Sequence, residues 1–164
     1  MTQSARPSPT DRLIEQQLTE ELAELQRFST LLASEQEILA KGEADKLPPV
    51  VEQKSVLAGR LSKLLADRER ALIQAGFAIG REGMEAWLAH HPQPDSLREK
   101  WLGLLELAAK ARSQQETNGK LIAVQLQYNQ QAIAALMSAS GRTLTYGPDG
   151  QQRIGGGGRT LGSA

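Results

Sequence analysis

His90 and His91 are the only imidazoles in the chain, and there is no cysteine at all. Chemistry at this pair would be metal ligation or acceptance of a phosphoryl group. A carboxylate-bridged metal centre in a helical bundle needs Glu-x-x-His pairs facing inward, and neither histidine has a glutamate three residues before it. Glu20 and Glu24 share a helix face, but solvated charge is the ordinary meaning of that spacing. A phosphorelay histidine sits mid-helix on an exposed face. This pair runs instead into Pro92, where an imidazole answers the free carbonyls of a helix end. A phosphate loop is also excluded. Gly119-Lys120 lacks the upstream glycine and the following Ser or Thr, and no lysine follows Gly155–Gly158. The sequence therefore assembles no catalytic constellation, and we expect no enzyme, no metal and no cofactor.

What remains is a set of apolar and amide side chains near the C-terminus. On a 3-4 grid one helix reads Leu97, Trp101, Leu104, Ala108, Ala111, Gln115, Asn118, Ile122, Gln125, Asn129, Ala132 and Leu136. Its first half is a core seam, which then turns polar. From Leu121 to Met137 the apolar side chains fan over roughly 220° of the helix surface, where a core-facing stripe needs nearer 100°. Gln125 and Asn129 sit in the middle of that fan. Leu121, Val124 and Tyr128 lie to one side; Ile122, Leu126, Ile133 and Met137 lie to the other. These residues, with Asn118 and Leu136, are the expected partner-binding surface. For Asn118 and Asn129 the spacing leaves two roles open: amide contacts to a partner, or a polar register mark inside a coiled-coil seam.

The elements that position this surface follow from periodicity. Leu18, Leu25, Leu32 and Leu39 recur every seven residues, predicting a helix from about Asp11 to Lys41 that stops at Gly42. Asp45 is the expected N-cap of a second helix, with Pro48 and Pro49 in its first turn, continuing to about Ala75. The short connection makes the two an antiparallel hairpin. Gly76, Gly80 and Gly83 interrupt the next segment, where Met84, Trp87 and Leu88 suit a short helix docked on the hairpin. After Pro92 and Pro94, the pair Ser96 and Glu99 suggests a capping box opening the long third helix, to about Ala139. The expected fold is all-α: an antiparallel hairpin plus a long third helix in a coiled-coil-like bundle over 1–140. A glycine-rich, flexible tail over 141–164 follows. Eight of the fifteen glycines fall in that tail. Gly147-Pro148-Asp149-Gly150 is turn chemistry, and the neighbouring Tyr146 suits a recognition anchor.

Composition narrows the partners. Nineteen basic residues balance nineteen acidic ones, so no basic excess favours nucleic acid or an anionic membrane. No apolar run reaches the ~18 residues that a membrane span needs, and the polar first twelve residues lack the apolar stretch of a signal peptide. The expectation is a soluble, cytoplasmic chain whose partner is another protein, or a second copy of itself paired as a coiled coil.

Three segments resemble the FlgN family of flagellar export chaperones. One is Glu35-Gln36-Glu37-Ile38-Leu39-Ala40-Lys41-Gly42 leading to Glu52-Gln53-Lys54-Ser55-Val56-Leu57. The second joins Asn118-Gly119-Lys120-Leu121-Ile122 to Asn129-Gln130-Gln131-Ala132-Ile133. The third is Leu144-Thr145-Tyr146-Gly147-Pro148-Asp149-Gly150-Gln151. The resemblance implies a cytoplasmic chaperone for the hook-filament junction proteins FlgK and FlgL, which binds their C-terminal helical region and delivers them to the flagellar type III export apparatus. It maps the client surface onto Asn118–Met137 and implies that Tyr146 contacts the export gate. Met1–Thr10 and the Gly155–Gly158 run match nothing in the family pattern and are assigned no role.

Overall fold

The computed structural model describes residues 7–91 and 94–139, together with the backbone of two short strands in the tail. The helices are α1 (Pro9–Lys41), α2 (Leu47–Gln74), α3 (Gly80–His90) and α4 (Pro94–Ala139), with a 3-10 turn at Ala44–Lys46 before α2. The strands are β1 (Leu144–Tyr146) and β2 (Gln152–Ile154), antiparallel with Tyr146 opposite Gln152. The chain divides into two units, Met1–Leu121 and Ile122–Ala164.

In the first unit, α1 begins two residues earlier than its heptads indicate. Ser8 is the N-cap: its hydroxyl accepts from the Asp11 N–H, and Asp11 accepts from the Ser8 N–H, with Pro9 in the first turn. At the other end Gly42 takes φ 70°, a left-handed cap that glycine adopts without strain. Two expected caps are corrected. Asp45 does not cap α2 but lies inside the 3-10 turn, and α2 starts after Lys46 without a side-chain cap. Ser96 and Glu99 do not open α4, which already runs from Pro94, because proline's fixed φ suits the first helical turn.

Four helices meet in the main core. Ile14 and Leu18 of α1, Ala71 and Leu72 of α2, Met84, Trp87 and Leu88 of α3, and Leu97, Trp101 and Leu104 of α4 are all buried together. A smaller cluster of Phe28, Leu32 and Ala111 continues between α1 and α4, with Leu57 and Leu61 of α2 packed against it. Thr19 meets Lys100, Ser29 meets Gln114 and Leu32 meets Asn118. These pairs advance together along both chains, so α4 runs parallel to α1 and antiparallel to α2.

α3 is more regular than its glycines suggest. A β-carbon on Gly83 would stand 1.6 Å from the Ala78 carbonyl oxygen, so that position marks a close backbone approach rather than a break. The Trp87 indole N–H donates to Asp11 at 2.9 Å, and the Trp87 ring packs tilted on His91, which meets Glu15 at 2.9 Å. Burial pushes the Asp11 carboxyl up, but hydrogen bonds from Trp87 and Ser8, aided by His91, hold it below the ordinary range. The start of α1 and the end of α3 are thereby joined through side chains. His91 is thus buried against α1, at the helix end where its neighbour His90 reaches the Ala86 carbonyl.

Candidate functional site

The hairpin shows why α1 and α2 pair in one register. The seam of α1 runs Ile14, Leu18, Glu21, Leu25, Phe28, Leu32, Glu35 and Leu39 in alternating steps of four and three. Two of its members are glutamates, both buried. The facing seam of α2 carries Lys54, Leu57, Leu61, Leu64, Arg68 and Ala71 at the same steps. Arg68 meets Glu21 through two contacts, Nε to Oε2 at 2.7 Å and Nη2 to Oε1 at 3.3 Å. Lys54 meets Glu35 at 2.7 Å. Each acid on α1 therefore finds a base on α2 at the conjugate antiparallel position. Side chains of α4 complete both layers. The Trp101 ring lies 5.2 Å from the Arg68 guanidinium carbon, a cation–π distance. The Asn118 amide donates to Glu35 at 2.8 Å and to the Leu32 carbonyl at 2.9 Å.

Asn118 is also the last buried residue of α4 among the described residues. α1 ends at Lys41, soon after Glu35, whereas α4 runs on to Ala139. In the second unit, none of the described residues from Ile122 to Ala139 is buried. Val124 is 63% exposed, Tyr128 72% and Leu136 71%; Ile122, Leu126 and Ile133 are also exposed. Leu121, Gln125 and Met137 are half-buried, and Asn129 is exposed. The anticipated surface residues therefore share one helical segment, except Asn118, which the structure places in the interior as a polar seam residue. From Leu121 to Ala139 the segment has no Asp, Glu, Lys or Arg. An uncharged helix surface this rich in exposed aliphatic side chains is unusual for a solvated face.

Among the described residues no cluster of His, Asp and Glu is placed to hold a metal ion, and no helix is long and apolar enough to cross a membrane. The groove along the hairpin is open and lined by mixed charge, including Glu20, Glu24, Arg27, Arg60 and Lys63. The Tyr146 side chain and the 147–150 turn lie outside the described residues.

Comparison with known proteins decides the family. The family model described as FlgN protein matches residues 10–154. The chain belongs to the FlgN family. The flagella synthesis protein FlgN of Yersinia enterocolitica is 32% identical over 138 residues, covering 83% of this chain and 86% of that protein. That of Salmonella typhimurium is 29% identical over 132 residues, covering 79% and 83%. A crystal structure of a putative flagella synthesis protein FlgN from Pseudomonas aeruginosa matches with a TM-score of 0.64 at 21% identity. It spans 72% of this chain and 90% of that one. The fold of this FlgN chain is thus one already seen in a solved structure.

Two features escaped the sequence reading. Glu21 and Glu35 occupy seam positions, and tracing the 3-4 steps without skipping polar residues would have exposed them. Their partners Lys54 and Arg68 repeat at the same interval on α2, a second signal available from spacing alone.

Proposed function

We propose that this FlgN family member is a cytoplasmic export chaperone. In this reading it binds the C-terminal helical region of the hook-filament junction proteins FlgK and FlgL and delivers them to the flagellar type III export apparatus. The supporting observation is the charge-free segment Leu121–Met137, in which none of the apolar side chains is buried and most are exposed. A client helix laid on Leu121, Ile122, Val124, Leu126, Tyr128, Ile133, Leu136 and Met137 would cover their apolar surface in helix-in-groove fashion. Gln125 and Asn129, set inside the fan, would hydrogen-bond across the contact and fix its register. Tyr146 would make a separate contact with the export gate. No covalent step is involved.

The test is a pull-down of the full chain with the C-terminal helices of each junction protein, alongside Ile122→Asp and Ile133→Asp. Burying a carboxylate in an apolar contact is costly, so both variants should lose the client while keeping their helical signal. Undiminished binding by both would remove this surface assignment. A tight homodimer that protects 121–137 and ignores the client helices would replace the chaperone reading with self-association.

A further inference from the structure

We propose that Asn118, acting through Glu35 and Lys54, and Trp101, acting through Arg68 and Glu21, are positioning residues that fix the register of α4 along the hairpin. The two layers are built alike. In each, a buried glutamate of α1 is paired with a base of α2, and one α4 side chain completes the group. Between the two layers the buried residues of α4 are Leu104 and Ala111, so this stretch offers few knobs to lock into holes. Slippage by one heptad would bring Gln125 opposite Glu35, a tolerable exchange of amides. The same slip would bring Ala108 over Arg68 and strip away its aromatic cover. Slippage the other way would set Ala111 against Glu35 and leave the buried carboxylate without its amide donor. Only the observed register satisfies both layers.

The polar layers are not there for stability alone. Glu35 is 1% exposed and Asn118 2%, and the Asn118 carbonyl oxygen is buried without a hydrogen-bond partner among the described residues. A buried amide of this kind costs stability while selecting one alignment, and buried ion pairs replaced by apolar side chains often leave a fold as stable or more so. The register inference concerns the part of α4 packed on the hairpin and does not rest on the client reading above.

The chain has no cysteine, so paired spin labels can be placed freely. Labels at Thr30→Cys on α1 and Glu106→Cys on α4, both exposed, report the alignment of the two helices. Replacing a whole layer by Glu35→Leu, Lys54→Leu and Asn118→Leu should keep the helical signal and the melting temperature. The interspin distribution should then broaden about twofold or shift as for a slip of one heptad, ~10 Å along the helix. The single variant Asn118→Leu should do the same to a smaller degree, and Asn118→Gln, which keeps an amide donor, should restore a narrow distribution. A distribution that superimposes on the parent in both leucine variants overturns the proposal. So does loss of fold in Asn118→Leu, because a register mark can be replaced by packing and a structural keystone cannot. Client binding by Ile122→Asp and Ile133→Asp tests the proposed surface separately, so failure of the client reading leaves the register inference standing.

Discussion

The two halves of α4 carry the same 3-4 spacing and meet opposite fates. In the first half Leu97, Trp101, Leu104, Ala111 and Asn118 are buried against the other helices, while Arg98, Glu99, Glu106, Lys110, Arg112 and Glu116 face outward. In the second half Ile122, Val124, Leu126, Tyr128, Ile133 and Leu136 are exposed and no charge balances them. Periodicity alone does not separate a buried seam from an unfilled one. The separating feature is the width of the apolar arc together with the absence of a charged face opposite it. A helix that solvates one side spends its Lys and Glu there; one that waits for a partner does not.

This contrast can be broken most sharply by truncating side chains in each half. Trp101→Ala removes a core ring and uncovers Arg68, so it should destabilise the first unit by about 3–5 kcal/mol, read from urea unfolding followed by circular dichroism. Leu136→Ala, of comparable apolar character in the other half, should change unfolding by no more than about 0.5 kcal/mol. Equal effects would mean that the second half is core after all.

Next in size is the effect on a client. Leu126→Asp should weaken binding of a junction-protein helix by about 2 kcal/mol or more, as for a central interface anchor, with the melting curve unchanged. Because Leu121–Ala139 is uncharged, affinity should change less than about twofold between low salt and about 0.5 M salt, where exposed charges are screened beyond a few ångströms. A steep salt dependence would move the contact to a charged part of the chain, such as the open groove of the hairpin.

The smallest expected effect concerns the start of the first unit. The Asp11 carboxyl is held below its ordinary value of 3.8, so the folded state binds that proton less readily than the unfolded chain. Its contribution is fully present above the unfolded value and is lost as pH falls through the lower, folded one. Acidification into that range should therefore loosen the Trp87 contact, seen as a change in tryptophan fluorescence that Asp11→Asn lacks. Loss of the same signal near neutrality would point to another group.

Much of the architecture is legible in the sequence. The heptad leucines of α1, the two rows of α2 and the glycine at 42 place the hairpin, and the fan from Leu121 to Met137 singles out the exposed segment. The boundaries are less legible, since Ser8-Pro9-Thr10-Asp11 caps α1 from within a segment of unremarkable polarity and Pro94 starts α4 ahead of a plausible capping box. The buried acids are hidden for a different reason. A glutamate at a seam position is read as a solvated neighbour unless its partner base on another helix is known. Asn118 is the clearest instance: spacing leaves it between a partner contact and a register mark, and its bonds to Glu35 and Leu32 place it inside.

The most direct measurement is amide hydrogen exchange on the full chain with and without a C-terminal junction-protein helix. Slowed exchange on adding client should concentrate in 121–139, leaving the hairpin core of α1 and α2 unchanged. Protection confined to the hairpin, with 121–139 exchanging as fast as before, would contradict the central claim that this half of α4 is completed by a client.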